Sequence, residues 1–473
     1  MTGPPDGSAR EPSPPAGAGG GDDPVVRTAI ARYHDGLSDE VAAASQEMLA
    51  RRLRAEGLYF GERPLCGVLR PRFLSGAQYR HIVRTSELIV RAMERVRVAA
   101  MADDALRAQF RLHDWEERLV HADPRLPVAS PVSRLDAFFA PGTAGLQYTE
   151  YNAETPAGAA YNDVMARVFL DLPAMGAFRR SHVAVPLPAA AGQVQALLDG
   201  YRHWRGVREV PAVCILDWRE VPTYSEFELY QRHLEAAGVP AFIGDPREAE
   251  YANGVLTVGG RRVTLIYKRV LLDELVDRCG LESPVVRAVQ DGAVCMINPF
   301  RCKLLHKKAS LAVVGDERHQ HLLPADERAA VAAHVPWTRV VEERRTEHAG
   351  QPVDLVPYIA DRRERFVLKP NDDYGGAGIV LGWTVTDSEW QAALRTALGE
   401  PYVVQERITL PTAAYPAWVD GRLHVGERME DTAPFVVNGQ VVDGCLSRIA
   451  TDPLLNVTAG GGSSIPSFLV EAR

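Results

Sequence analysis

Apolar residues recur every three or four positions through most of residues 28–119, a spacing that predicts helices. "SDEVAAASQEMLARRLRAEG" and "QYRHIVRTSELIVRAMERVRVAA" carry it most clearly, the first with Asp39 and Glu40 early and Gly57 at its end. The period then drops to two. "SRLDAFFA" and "GLQYTEYNA" read as strands joined by the turn-rich "PGTAG", with "YNDVMARVFLDL" a helix after them. Near Gln193 a new unit begins: the strand "AVCILDW", the helix "SEFELYQRHLEAAG" and the strand "VPAFIGD" predict a small α/β layer. "GVLTVGGRRVTLIYKRV" adds a hairpin turning at Gly259-Gly260. Beyond Asn298 come a basic helix, "RCKLLHKKASLAVV", and two strands, "RFVLKP" and "GIVLGW", around a glycine cluster. The helix "DSEWQAALRTALG", the strand "YVVQERI", "RMEDTAPFVVNGQVVDGCLSRIA" and the glycine-rich "NVTAGGGSS" complete the chain.

At 473 residues the chain exceeds one ordinary core, and the pattern divides it into four parts. Residues 1–27 are a Pro/Gly-rich tail, expected to be disordered, without the apolar stretch of a signal peptide. Residues 28–190 hold the helices and the first strand pair, 191–299 the small Rossmann-like α/β unit, and 300–473 the lysine- and glycine-bearing strands. The expected fold class is α/β (α+β). A net charge of −8 with both signs interleaved argues against a nucleic-acid or anionic-membrane partner. No segment approaches the roughly 20 apolar residues of a membrane span. The six cysteines are scattered, with neither a CxxC pair nor zinc-ligand spacing, which fits a reduced, cytoplasmic setting. Nothing in the sequence sets an oligomeric state.

Of 53 Lys and Arg residues, only Lys268, Lys303, Lys307, Lys308 and Lys369 are lysine. Arginine carries the surface charge, so a remaining lysine is expected where a compact ammonium on a flexible stem is required. In "FVLKPNDDYGGAGIVLG" (366–382) a strand bearing Lys369 runs into Gly375, Gly376 and Gly378, which suits a polyphosphate met by an ammonium and by backbone N–H groups. It is neither GxxxxGK[ST] nor GxGxxG, since Leu381 takes the third glycine's place. The plainer reading is a hairpin whose glycines only turn the chain. "FRCKLLHKKA" places Arg301, Lys303, Lys307 and Lys308 in one segment, with 303 and 307 a turn apart. "YVVQERI" brings Gln405 and Glu406 to a strand end, where backbone groups could meet an adenine edge and Glu406 a ribose hydroxyl.

Glu150 and Asn152, two apart on a strand, face one side and can converge with Asp136 of the preceding strand. Two carboxylates and an amide oxygen make a hard-oxygen set suited to Mg²⁺. Arg134 lies on the same side as Asp136. An ordinary surface hairpin is the alternative. Arg219, Lys268 and Arg269 end strands of the α/β unit and are candidates for a substrate carboxylate or for surface ion pairs.

In the order "RLD…EYNAETP", "LKPNDDYGGAGIVLG" and "SRI…NVTAGGG", the chain resembles the circularly permuted branch of the ATP-grasp ligases, in particular the synthetase domain of glutathionylspermidine synthase. The likeness runs from about Arg134 to the C-terminus. It implies an ATP-grasp fold whose metal-binding strands precede the nucleotide-binding lobe, and ATP and Mg²⁺ as cofactors. It implies Asp136, Glu150 and Asn152 as magnesium ligands, and Arg134 and Arg448 against the transferred phosphoryl group. Lys308 (or Lys303) and Lys369 would hold phosphates, with the three glycines above them. The activity implied joins a small carboxylate to an amine through an acyl phosphate. Glu154 departs from the family's "NADTP" by one methylene and is expected only to shape its loop. A phosphotransferase using the same site, or a non-catalytic nucleotide-binding module, are the alternatives.

Overall fold

The computed structural model describes residues 23–122, 125–140, 145–372, 376–452 and 462–473. Gly375, most of "PGTAG" and most of "NVTAGGGSS" lie outside the described residues.

The predicted helices form over Asp39–Ala55 and Gly76–Ala102, the latter started by a capping box between Ser75 and Gln78. A helix at Pro24–Asp35 starts inside the segment expected to be a disordered tail, with Asp23 as its N-cap and Pro24 at its first position. Ile82, Ile89, Met93, Val96 and Ala100 line one stripe of the long helix and are buried with Leu135, Ala137 and Phe139 of the first strand. The N-terminal helices therefore pack onto the sheet that carries the acidic residues.

That sheet has nine strands and is assembled from both ends of the chain. Thr412–Val419, Arg422–Glu430, Val441–Ala450, Ala433–Val437, Val132–Phe139 and Leu146–Asn152 lie side by side in this order. Gly462–Ala472 pairs with Val441–Ala450 and carries Arg72–Leu74 and His182–Pro186 on its far half. Antiparallel pairing sets Phe435 opposite Arg134, and Arg134 opposite Asn152.

The unit after residue 191 is a four-stranded parallel sheet in the order Cys295–Ile297, Leu265–Lys268, Val213–Leu216, Ala241–Gly244. Three of its four strands, Cys295–Ile297, Leu265–Lys268 and Val213–Leu216, are buried at every residue, as strands covered on both faces must be. The predicted hairpin at Gly259-Gly260 is present, but it ends at Val263; the "LIYK" run leaves it to join the parallel sheet. A third sheet, antiparallel, orders Thr338–Val340, Tyr402–Glu406, Phe366–Pro370 and Val380–Leu381. Trp390 and Leu394 of the helix Asp387–Gly399 close it from below, against Phe366, Leu368 and Val404.

The basic helix is not continuous. It splits into Cys302–His306 and Ala309–Val314, with the break at Lys307 and Lys308. Asn371 explains the split: its carbonyl accepts the Lys308 N–H at 2.8 Å and its side-chain oxygen accepts the Ala309 N–H at 2.9 Å. The segment bearing Lys308 is thereby tied to the strand bearing Lys369.

Candidate functional site

Asp136 and Glu150 face each other directly across the hairpin, in a register that shifts just after Asp136. Like charges so placed repel, so the pair needs cations around it. Arg134 supplies one: its Nε and Nη2 donate to the two Asp136 oxygens at 2.7 and 3.0 Å, while Nη1 donates to the Ala157 carbonyl at 2.6 Å. Arg448 supplies another, its Nη2 donating to Asp136 Oδ2 at 2.7 Å. Lys308 Nζ lies 3.2 Å from Glu150 Oε1. Lys369 Nζ, in the adjoining sheet, donates to the Thr149 carbonyl at 3.3 Å and to Gln405 Oε1 at 2.7 Å. Gln405 is itself held by Thr338, whose hydroxyl accepts its Nε2–H at 3.0 Å.

The titration behaviour follows from these contacts. Burial pushes the Asp136 carboxyl up, but Arg134 and Arg448 overcome it and hold it well below the usual range. Burial and the Asp136 charge raise Glu150, but Lys308, Lys369 and His306 together outweigh them, so Glu150 also lies low. Lys369 goes the other way: burial, with Lys308 beside it, lowers it from 10.5 to about 8 despite Glu150. Between pH 8 and 10.5 the unfolded lysine binds more proton than the folded one, so this group makes the nucleotide-free protein gain stability as pH rises through that window. An anion arriving at Lys369 would reverse the shift. Calorimetry of Mg·ATP binding at pH 8.5, in two buffers of different ionisation enthalpy, should show uptake of a fraction of a proton. Binding without proton uptake would mean that Lys369 does not meet the phosphates.

Lys303, the other lysine considered as a phosphate ligand, stands apart from this cluster. Its Nζ is buried among three carboxylates, at 2.7 Å from Asp372, 3.2 Å from Glu154 and 3.4 Å from Glu116. Burial lowers its affinity for the proton, but Glu154, Asp372 and Glu116 hold it well above the ordinary lysine value. Lys307 lies on the same group, 2.7 Å from Glu116 and 2.8 Å from Asp372. Glu154, expected only to shape a loop, is the hub: its side chain is fully covered and takes Lys268 at 3.1 Å, Lys303 at 3.2 Å and the Leu272 N–H at 2.6 Å. Burial raises its carboxyl, yet Lys268 and Lys303 bring it from 4.5 down to about 2.

The candidate substrate cations are placed similarly. Lys268 is spent on Glu154, and Arg269 is buried against Glu226 at 3.2 Å, while Arg219 pairs with Glu248 on the surface. The side chain of Glu406 accepts Arg365 Nη2 at 2.6 Å, and Gln405 is committed to Lys369 and Thr338. Gly376 and Gly378 both adopt positive φ, at 81° and 66°, and a Cβ on Gly378 would come within 2.6 Å of Pro370. Sequence reasoning missed Asn371, Glu116 and Asp372 as organisers of the two lysine clusters. The first and last stand inside the quoted lysine–glycine motif, whereas Glu116 carries no motif signal.

The donor set fits a metal that arrives with an anion. Asp136 and Glu150 offer carboxylate oxygens, and a half-turn of the Asn152 amide, whose nitrogen now donates to Asp136 at 2.9 Å, would present oxygen instead. Four cations, Arg134, Arg448, Lys308 and Lys369, surround these two carboxylates, which favours a polyphosphate over a bare divalent ion. Among the described residues no group of three or more His, Cys, Asp or Glu is arranged to hold a metal ion. Nucleotide oxygens would have to complete the shell. Among the described residues no helix is long and apolar enough to cross a membrane.

No family model matches the chain. A glutathione synthetase-like effector from Globodera pallida, solved in its apo form, is similar in fold, with a TM-score of 0.58 over 91% of this chain and 96% of that one at 12% identity. The fold is thus a mixed α/β one, shared with that effector. A putative glutamate–cysteine ligase 2-3 of Frankia alni is 28% identical over 215 residues, 43% of this chain. The match spans 23% of that relative's length, about a quarter of the protein. The uncharacterized protein ML0605 of Mycobacterium leprae is 25% identical over 461 residues, 89% of this chain and 76% of its own length.

Proposed function

We propose that the chain is an ATP- and Mg²⁺-dependent ligase of the circularly permuted ATP-grasp branch, joining a small-molecule carboxylate to an amine. The observation that carries this reading is the convergence of Asp136, Glu150, Asn152, Arg134, Arg448, Lys308 and Lys369, drawn from four distant stretches of sequence, on one face of the hairpin. The chain order supports the permuted branch, because the acidic hairpin precedes the lysine- and glycine-bearing lobe. The ligase names of the Frankia relative and of the effector support the reaction class.

When bound, Mg·ATP would supply its γ-phosphoryl group to the substrate carboxylate, leaving ADP, and the acyl phosphate so formed would lose inorganic phosphate to an attacking amine. The protein contributes position and charge. Asp136, Glu150 and Asn152 would hold the metal, and Lys308 and Lys369 the phosphates. Arg134 and Arg448 would face charge developing on the transferred group, a role typically worth a few kcal/mol per donor. Asn371 keeps the two lysines in register by fastening their segments together. A screen of carboxylates against amino acids and polyamines for ADP release, followed by mass analysis of the product, tests the reading. An amide supports it; a stable phosphate ester would make the protein a phosphotransferase.

A further inference from the structure

Asp431 lies between the strands Arg422–Glu430 and Ala433–Val437, and it is 1% exposed. It grips Arg448 on every side. Its Oδ2 accepts Arg448 Nε at 2.6 Å, its Oδ1 accepts the Arg448 backbone N–H, and its own N–H donates to the Arg448 carbonyl at 3.0 Å. Arg448 Nη2 lies 2.6 Å from Asp431 and 2.7 Å from Asp136, so one guanidinium bridges two buried carboxylates. The Arg448 side chain stays 25% exposed. Asp136 in turn receives donors from Arg134, Arg448 and Asn152 alone among the side-chain contacts described. A carboxylate read as a metal ligand is therefore covered by the two arginines read as phosphoryl ligands.

We infer that Asp431 is a positioning residue, the pivot that keeps Arg448 at the site both on Asp136 before metal and nucleotide arrive and on the transferred phosphoryl group afterwards. Arg134 and Arg448 hold the metal's place until then. The inference rests on the reading of Asp136 as a metal ligand. A planar guanidinium suits the task, since one edge can remain on Asp431 while the outer N–H groups change partner. Metal alone must displace both arginines without giving them a new anion, and so binds weakly. Metal with nucleotide gives them phosphate oxygens, and so binds well.

Mn²⁺ alone, titrated into the full chain and followed by electron paramagnetic resonance, provides a readout independent of turnover. Arg448→Gln uncovers Asp136 and should bind Mn²⁺ about tenfold more tightly than wild type, the scale of one charge-assisted hydrogen bond. Asp431→Asn leaves Arg448 with Asp136 as its sole carboxylate and should bind Mn²⁺ more weakly. Because Arg448→Gln strands a buried acid, the double variant Asp431→Asn/Arg448→Gln, which restores a neutral pair, should fold well and bind as tightly as Arg448→Gln. A remote charge effect of Asp431 would persist in the double variant and overturn the pivot. Unchanged Mn²⁺ affinity in both single variants, with Mn·ATP still bound, would overturn the pivot and the covering of Asp136 by Arg448 but leave the metal site standing. Failure of wild type to bind Mn²⁺ even with ATP would overturn the metal site as well.

Discussion

Glu150→Gln is expected to fold and to lose ATP turnover by at least about a hundredfold, the scale seen when one electrostatic stabiliser is removed from a transfer site. The substitution keeps the side chain's shape and its place opposite Asp136. It removes the charge that Lys308 faces at 3.2 Å and that partly restores the Lys369 proton affinity. The metal would lose a ligand, and two lysines would be left to repel each other. ADP release with Mg·ATP, beside a thermal melt, separates the two effects. Full turnover would make the hairpin structural and place the metal elsewhere.

Four residues on, Glu154→Gln should act on the fold and not on the chemistry, leaving a folded protein with a much smaller stability margin. Glu154 is the shared counter-ion of Lys268 and Lys303, both essentially excluded from solvent. Breaking one partner out of such a group leaves an uncompensated buried charge, which costs about 3–5 kcal/mol. The sign of the pH dependence follows. A carboxyl brought from 4.5 down to about 2 contributes stability that is complete above 4.5 and is lost as pH falls toward 2. Denaturant unfolding at pH 7 and pH 3.5 should therefore show wild type losing part of its margin over Glu154→Gln at the lower pH. A variant as stable as wild type at pH 7 would show that the hub does not hold the fold.

The hairpin was legible because its chemistry is local. A period of two, a turn and two acids on one side are enough to bring Asp136, Glu150 and Asn152 to one face. The scarcity of lysine was a true signal with a different cause. Lys268, Lys303 and Lys307 mark a buried ion cluster, where a compact ammonium can be shared among several carboxylates, and Lys308 and Lys369 stand by the acidic hairpin. Local sequence could not divide "KLLHKK" between the two destinations. That division depends on Asn371, more than 60 positions away, which breaks the helix and turns Lys308 from its neighbours. Glu154 was misjudged for the same reason, since its partners lie on strands and helices far along the chain. The parallel sheet was visible as short buried runs, but the departure of "LIYK" from its hairpin is decided by the vacant place beside Val213–Leu216.

The claim that the cation-lined hairpin activates a carboxylate by phosphorylation is tested most directly by trapping the activated species. An acyl phosphate is electrophilic, and hydroxylamine intercepts it as a hydroxamate. With Mg·ATP and a carboxylate identified by ADP release, wild type should form hydroxamate without any amine substrate. ADP release with a stable phosphate ester and no hydroxamate would contradict the account.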